Sequence, residues 1–119
     1  MKKVILIYDD DEEILDLCKF ILSEYDFVVE TFSKCENILS DVQAFNPDII
    51  LMDLWIPLIG GEKAIEIVKQ NKETKQIPIL IFSANSNIKE ITKKVNADGY
   101  VEKPFLIQTF IGTIQKYLN

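Results

Sequence analysis

Apolar and polar positions along this chain fall into blocks of two kinds that take turns. Short apolar runs stand at Lys3–Tyr8, Phe27–Phe32, Ile49–Met52, Ile79–Phe82 and Gly99–Glu102, each bounded by charged or turn-forming residues. Runs this short predict strands. Ile49–Met52, between Pro47 and Pro57, is apolar at every position, as a strand covered on both faces must be. Pro78 is tolerated ahead of Ile79 because a missing donor does little harm at a first strand residue.

The stretches between these runs carry helical spacing. Ile14, Leu17, Cys18, Ile21 and Tyr25 recur at turns of a helix, with Leu15 and Leu22 beside them. Glu36–Phe45 predicts a second helix with Ser33 as its candidate cap, and Gly60-Gly61 opens a third that carries Ala64, Ile65 and Val68. A fourth, about Ile88 to Ala97, has only Ile88, Ile91 and Val95 as an apolar stripe beside Lys89, Lys93 and Lys94. It should be the most weakly held helix and the easiest to move. The last helix is predicted from Phe105 to Leu118, with Ile107, Phe110, Ile111, Ile114 and Leu118 toward the core and Leu106 and Tyr117 widening the stripe. Gly112 in its interior costs roughly 1 kcal/mol relative to Ala, which marks a place for a close contact. Strict alternation of strand and helix requires an α/β fold with a parallel sheet, right-handed crossovers and helices on both faces.

Composition narrows this to one domain over residues 1–119, since 119 residues that are 48% hydrophobic fill one core and leave no room for a second. Thirteen Lys and Arg against 19 Asp and Glu give a formal charge of −6, which repels phosphate backbones and argues against direct nucleic-acid binding. No run approaches the roughly 20 apolar residues of a membrane span, and no signal-peptide pattern precedes Asp9, so no membrane association and a cytoplasmic location are expected. Cys18 and Cys35 fall in stretches that read as different helices, without a CxxC motif, and are expected to be reduced packing residues. The chain has no His, which excludes a Ser-His or Cys-His pair and any phosphohistidine on this chain. Phosphate-binding glycine loops are also absent, the paired glycines being Gly60-Gly61 alone.

The candidate chemistry lies where the predicted strands end. Asp9 and Asp10 follow the first strand, Asp53 the third, Ser83 the fourth and Lys103 the fifth. In a parallel sheet these side chains converge on the edge where α/β folds bind ligands. Three carboxylates against one ammonium leave two negative charges, which a single divalent cation cancels. Mg²⁺ suits such oxygen ligands, and the lack of His or Cys among them argues against zinc and copper. Each residue also has an ordinary reading. Acids at a helix N-terminus complement its dipole, which accounts for Asp11, Glu12 and Glu13. Ser83 alone could be a loop hydroxyl, Lys103 a surface charge, and Tyr100 and Phe105 plain core.

Taken in order and spacing, Asp9-Asp10, Asp53 with Pro57 and Gly61, Ser83-Ala84 and Tyr100-x-x-Lys103-Pro104-Phe105 resemble a response-regulator receiver domain of the CheY-like kind over essentially the whole chain. The resemblance implies a flavodoxin-like, three-layer sandwich with strand order 2-1-3-4-5 and a place in two-component signalling. It implies that Asp53 accepts a phosphoryl group from the phosphohistidine of a sensor histidine kinase or phosphotransfer protein. It also implies that Asp10 and Asp53 bind Mg²⁺ directly, Asp9 through water, and Trp55 through its backbone carbonyl. Lys103 would pair with one phosphoryl oxygen and Ser83 donate to another, with a cis Lys103-Pro104 bond. Tyr100 would act as a switch, and the fourth helix, last strand and last helix would form a partner surface from Lys93, Lys94, Tyr100, Leu106 and Tyr117. Phosphorylation-dependent binding or homodimerisation is expected there.

The chain departs from the family at Ser83, where Thr is common, and at Gly60, often a polar position. Trp55 and Asn85 stand at variable positions, and the Trp55 indole is expected to shield the acyl phosphate. Other readings are a Mg²⁺-dependent phosphatase acting on outside substrates, for which 119 residues leave no cap, and a degenerate receiver serving as a scaffold, against which the complete acid, hydroxyl and lysine set argues. The expected activity is limited to the protein's own phosphorylation and dephosphorylation. The chain stops after its last helix, as a stand-alone regulator or as part of a larger one.

Overall fold

The structure, a computed structural model, describes residues 2–118. Its elements run β1 (Val4–Tyr8), α1 (Glu12–Ser23), β2 (Val28–Phe32), α2 (Ile38–Phe45), β3 (Ile49–Met52), α3 (Gly61–Gln70), β4 (Ile79–Ser83), α4 (Ile88–Val95), β5 (Gly99–Glu102) and α5 (Ile107–Leu118). The five strands are parallel in the order β2-β1-β3-β4-β5, the doubly wound arrangement expected from the alternation. β1, β3 and β4 are interior strands, and Ile5–Tyr8, Ile49–Met52 and Ile79–Phe82 are fully buried.

Period-two alternation divides these strands between two apolar layers. Ile5, Ile7, Ile49, Leu51, Leu80 and Phe82 pack with α1 and α5, while Leu6, Tyr8, Ile50, Met52, Ile79 and Ile81 pack with α2, α3 and α4. Asp11 starts α1 by accepting from the backbone N–H groups of Glu13 and Ile14. Asn37, rather than Ser33, caps α2 by accepting from the Ser40 N–H. In α4 only Ile88 is buried, so the narrow stripe holds.

Several expectations are corrected. The buried face of α1 is Leu15, Cys18, Ile21 and Leu22, while Leu17 and Tyr25 are exposed. Cys35 lies in the β2–α2 loop, paired as an isolated bridge with Leu58 of the β3–α3 loop, and is not helical. Its side chain is nevertheless buried and free, as is that of Cys18. α5 begins at Ile107, which is exposed because it sits in the first turn ahead of the packed stripe Phe110, Ile111 and Ile114. A Cβ at Gly112 would meet open space, so no close contact explains that glycine. Close approach occurs instead at Gly61, where a Cβ would collide with the Asp53 carbonyl oxygen and the Leu54 Cα.

Candidate functional site

The sheet places the candidate residues at one level because its ladders continue past the strand ends. The Asp9 N–H donates to the Phe32 carbonyl at 3.0 Å, the Asp53 N–H to the Tyr8 carbonyl at 3.0 Å, and the Lys103 N–H to the Ser83 carbonyl at 2.9 Å. Three side chains from distant parts of the sequence are thereby fixed by main-chain bonds before any side-chain interaction is counted. Lys103-Pro104 is cis, as the resemblance implied. Ser83 is the last residue of β4 rather than the first of the loop after it.

Asp9, Asp53 and Ser83 are buried polar side chains, and Asp10 is exposed at the mouth. Asp9 uses both carboxylate oxygens: Oδ1 accepts from the Asp11 N–H at 2.9 Å and Oδ2 from the Lys103 ammonium at 2.5 Å. The same ammonium lies 3.7 Å from Asp53 Oδ2, and Asp53 Oδ1 accepts from the Trp55 N–H at 3.2 Å. Ser83 Oγ accepts from the Asn85 N–H at 3.1 Å, which leaves its own proton to donate. Burial is the largest influence on Asp53 and pushes its carboxyl above the usual range. The Trp55 N–H bond and the Lys103 charge oppose that shift, and Asp9 and Asp10 reinforce it.

Asp10, Asp53, Trp55, Ser83, Ala84, Asn85 and Lys103 line an open cleft of about 400 Å³. Each of Asp9, Asp10 and Asp53 offers a carboxylate oxygen, all within 4.8 Å of one another. Three anions this close, faced by one lysine, fit a hard divalent cation both in ligand type and in charge. Trp55 is 75% exposed at the rim.

The remaining candidates lie on another face. Tyr100, Leu106 and Tyr117 line a groove of about 580 Å³ along β5 and α5, with Leu106 exposed and Tyr100 half-buried. Lys93 and Lys94 are exposed on α4 and lie outside the residues lining that groove. Tyr117 also donates to the Asp98 carbonyl at 2.9 Å, tying α5 to the turn before β5.

Two contacts were not anticipated from sequence. The Lys103 ammonium stands 4.6 Å from the centroid of the Phe82 ring. The Tyr8 hydroxyl donates to Asp41 Oδ2 at 2.7 Å, and burial first, then that bond and the Asp41 charge, raise the phenol far above its ordinary range. Neither has a local signal, because each joins residues at least 21 positions apart, 103 − 82 = 21 and 41 − 8 = 33.

Known proteins share this fold. The chain is 34% identical over 108 residues to the alkaline phosphatase synthesis transcriptional regulatory protein PhoP of Bacillus subtilis, a match covering 88% of this chain and 44% of PhoP. It is 28% identical over 115 residues to hybrid signal transduction histidine kinase D of Dictyostelium discoideum, covering 95% of this chain and 7% of the kinase. The chain thus spans less than half the length of these relatives. The chemotaxis response regulator CheY4 of Vibrio cholerae superposes with a TM-score of 0.88 at 27% identity, covering 99% of this chain and all of CheY4 (100%). A Chloroflexus aurantiacus protein described as a response regulator gives a TM-score of 0.91 at 26% identity, covering 99% and 98% of the two chains. Residues 5–115 match the response regulator receiver domain, and the chain belongs to that family of two-component signalling modules.

Proposed function

We propose that Asp53 is the phosphoacceptor of this receiver, taking a phosphoryl group from the phosphohistidine of a sensor histidine kinase or phosphotransfer protein. The observation that carries the reading is the convergence of Asp9, Asp10, Asp53, Ser83 and Lys103 at one sheet edge, with Asp53 buried beside an ammonium. An Asp53 carboxylate oxygen forms an O–P bond as the donor P–N bond breaks, and the departing nitrogen keeps the bonding pair and takes up a proton. Charge spreads over the three equatorial oxygens in such a transfer, so the protein's contribution is positioning and neutralisation.

Asp10 and Asp53 would hold Mg²⁺ directly, Asp9 through water, and the Trp55 main-chain carbonyl would complete the protein's share. When bound, Mg²⁺ offsets the excess negative charge of the acids and of the phosphoryl oxygens. Lys103 shifts from Asp9 toward a phosphoryl oxygen, and Ser83 Oγ donates to another. That movement of Ser83 opens space for the Tyr100 ring, and α4, weakly packed, adjusts with it. The β5–α5 groove, with Leu106 and Tyr117, and the lysines of α4 form the surface that an effector or a second copy reads. The receiver unit spans residues 1–119, catalyses only its own phosphorylation and dephosphorylation, and works in the cytoplasm.

Intact mass after incubation with acetyl phosphate tests the assignment. A gain of one phosphoryl group that requires both Mg²⁺ and Asp53 is expected, and Asp53→Ala should gain none. An equal gain in Asp53→Ala, or a gain that ignores Mg²⁺, overturns it.

A further inference from the structure

Lys103 is held from three sides, and one of them is not an anion. Besides Asp9 Oδ2 at 2.5 Å and Asp53 Oδ2 at 3.7 Å, its ammonium faces the Phe82 ring at 4.6 Å from the centroid. Phe82 is fully buried and directly precedes Ser83 in β4. Its ring stacks with Phe110 at 6.1 Å and tilts against Phe105 at 6.0 Å, while Phe105 and Phe110 stack on each other at 4.4 Å. The three rings lock one another, so the face that Phe82 turns to the Lys103 ammonium is fixed by packing rather than by the lysine.

The same apolar layer is otherwise lined from the sheet by aliphatic residues, Ile5, Ile7, Ile49, Leu51 and Leu80. A ring at position 82 serves the packing on Phe105 and Phe110, but it also does what no aliphatic side chain of that layer can. What a ring adds is a negative face, which attracts an ammonium placed over it. Lysine needs such help, because its charge rides on a flexible four-carbon stem with three rotatable donors. Asp9 alone would draw the ammonium to one side of the cleft.

We propose that Phe82 is a positioning residue for phosphoryl transfer, its ring face holding the Lys103 ammonium between Asp9 and Asp53. The inference rests on the reading that Lys103 meets a phosphoryl oxygen. The ring's attraction does not depend on either carboxylate, so Lys103 can exchange Asp9 for a phosphoryl oxygen and keep that contact.

The test replaces Phe82 in the full chain with mono-, di- and trifluorophenylalanine, which keep the ring's shape while weakening its negative face. The phosphorylation rate with acetyl phosphate and Mg²⁺ is measured beside Phe82→Leu, Lys103→Met and Asp53→Ala. The rate should fall stepwise with fluorination, by about three- to tenfold for the trifluoro ring. Urea midpoints and Mg²⁺ affinity, read from the single Trp55, should stay near those of the parent. A flat fluorination series, with Asp53→Ala and Lys103→Met inactive, overturns the role of Phe82 and leaves the site assignment standing. Phosphorylation that persists in Asp53→Ala or Lys103→Met overturns the site reading, and this inference with it.

Discussion

Lys103→Met should destabilise the fold strongly in the absence of divalent cations. Asp9 is 1% exposed and Lys103 17%, so the pair is buried rather than superficial. Breaking a buried ion pair from one side costs about 3–5 kcal/mol, because the remaining charge keeps its desolvation penalty without its partner. Two features of the site reduce that figure. Asp9 Oδ1 retains the Asp11 N–H, and Lys103 borders the open cleft, so its charge is not wholly withdrawn from solvent in the parent. Methionine keeps an unbranched side chain in place of the lysine's, so little packing is lost. A loss of about 2–3 kcal/mol follows. With a urea m value of about 1–3 kcal/mol/M, the midpoint should drop by about 0.7–3 M.

Far-UV circular dichroism in urea, with a chelator present, measures this. Asp9→Asn/Lys103→Met should recover much of the loss, since the charge left unpaired is removed with its partner. Mg²⁺ at about 100 times its dissociation constant should restore about 2.7 kcal/mol to any variant that still binds it. A midpoint for Lys103→Met equal to the parent's, or a double variant whose losses simply add, would refute the claim that Lys103 neutralises a buried cluster.

Gly61→Ala should cost about 2 kcal/mol or more and also slow phosphorylation of Asp53, because the new methyl collides with the backbone of Asp53 and Leu54; urea midpoint and phosphorylation rate check it, and an unperturbed variant would show that the loop yields freely. Trp55→Asn should speed loss of the acyl phosphate by opening the cleft rim, and an unchanged decay rate of the phosphorylated protein after donor removal would sink the shielding role. Burial, and then the Asp41 charge, push the Cys35 thiol up to about 12. Its proton therefore stays on in the native state above about pH 8.5, where the unfolded chain gives its own up. The stability this contributes is complete below that pH and declines above it by about 1.4 kcal/mol per pH unit. Urea midpoints of the parent and Cys35→Ala between pH 8 and 10 should show a shallower decline in the variant, and parallel curves would refute it.

Which parts of this molecule could be read from its sequence depends on whether the signal was local. β3 was legible because Ile49–Met52 admits no polar face, and the acids were legible because strand ends in a parallel sheet converge by topology alone. The orientation of α1 was not. Ile14, Leu15, Leu17, Cys18, Ile21 and Leu22 support two overlapping stripes, and periodicity cannot choose between them. Contact with the sheet chose the stripe through Leu15, Cys18 and Leu22, leaving Leu17 in solvent. Cys35 was misplaced for a similar reason, since its bridge to Leu58 is a pairing of two loops with no periodic pattern in either.

The Phe82 contact illustrates the harder case. β4 and β5 pair Phe82 with Val101 and Ser83 with Glu102, so Lys103 emerges one position beyond the end of that ladder, close to the Phe82 ring. Only the register reveals the neighbourhood. Local rules are broken where the fold meets its chemistry: Asp9 and Asp53 are buried acids, Trp55 is an exposed indole, and Leu58 sits at φ 81 with its side chain in solvent. Such a conformation is costly for a residue with a Cβ and persists only when the surroundings impose it. Here the Cys35 N–H donates to the Pro57 carbonyl and the Ile59 N–H to the Cys35 carbonyl, both at 3.1 Å, pinning the loop on either side of Leu58. The loop that carries Trp55 beside Asp53 is thus held in shape by main-chain bonds to a neighbouring loop, at some expense to Leu58, and that rigidity keeps the rim of the cleft in register with its acids.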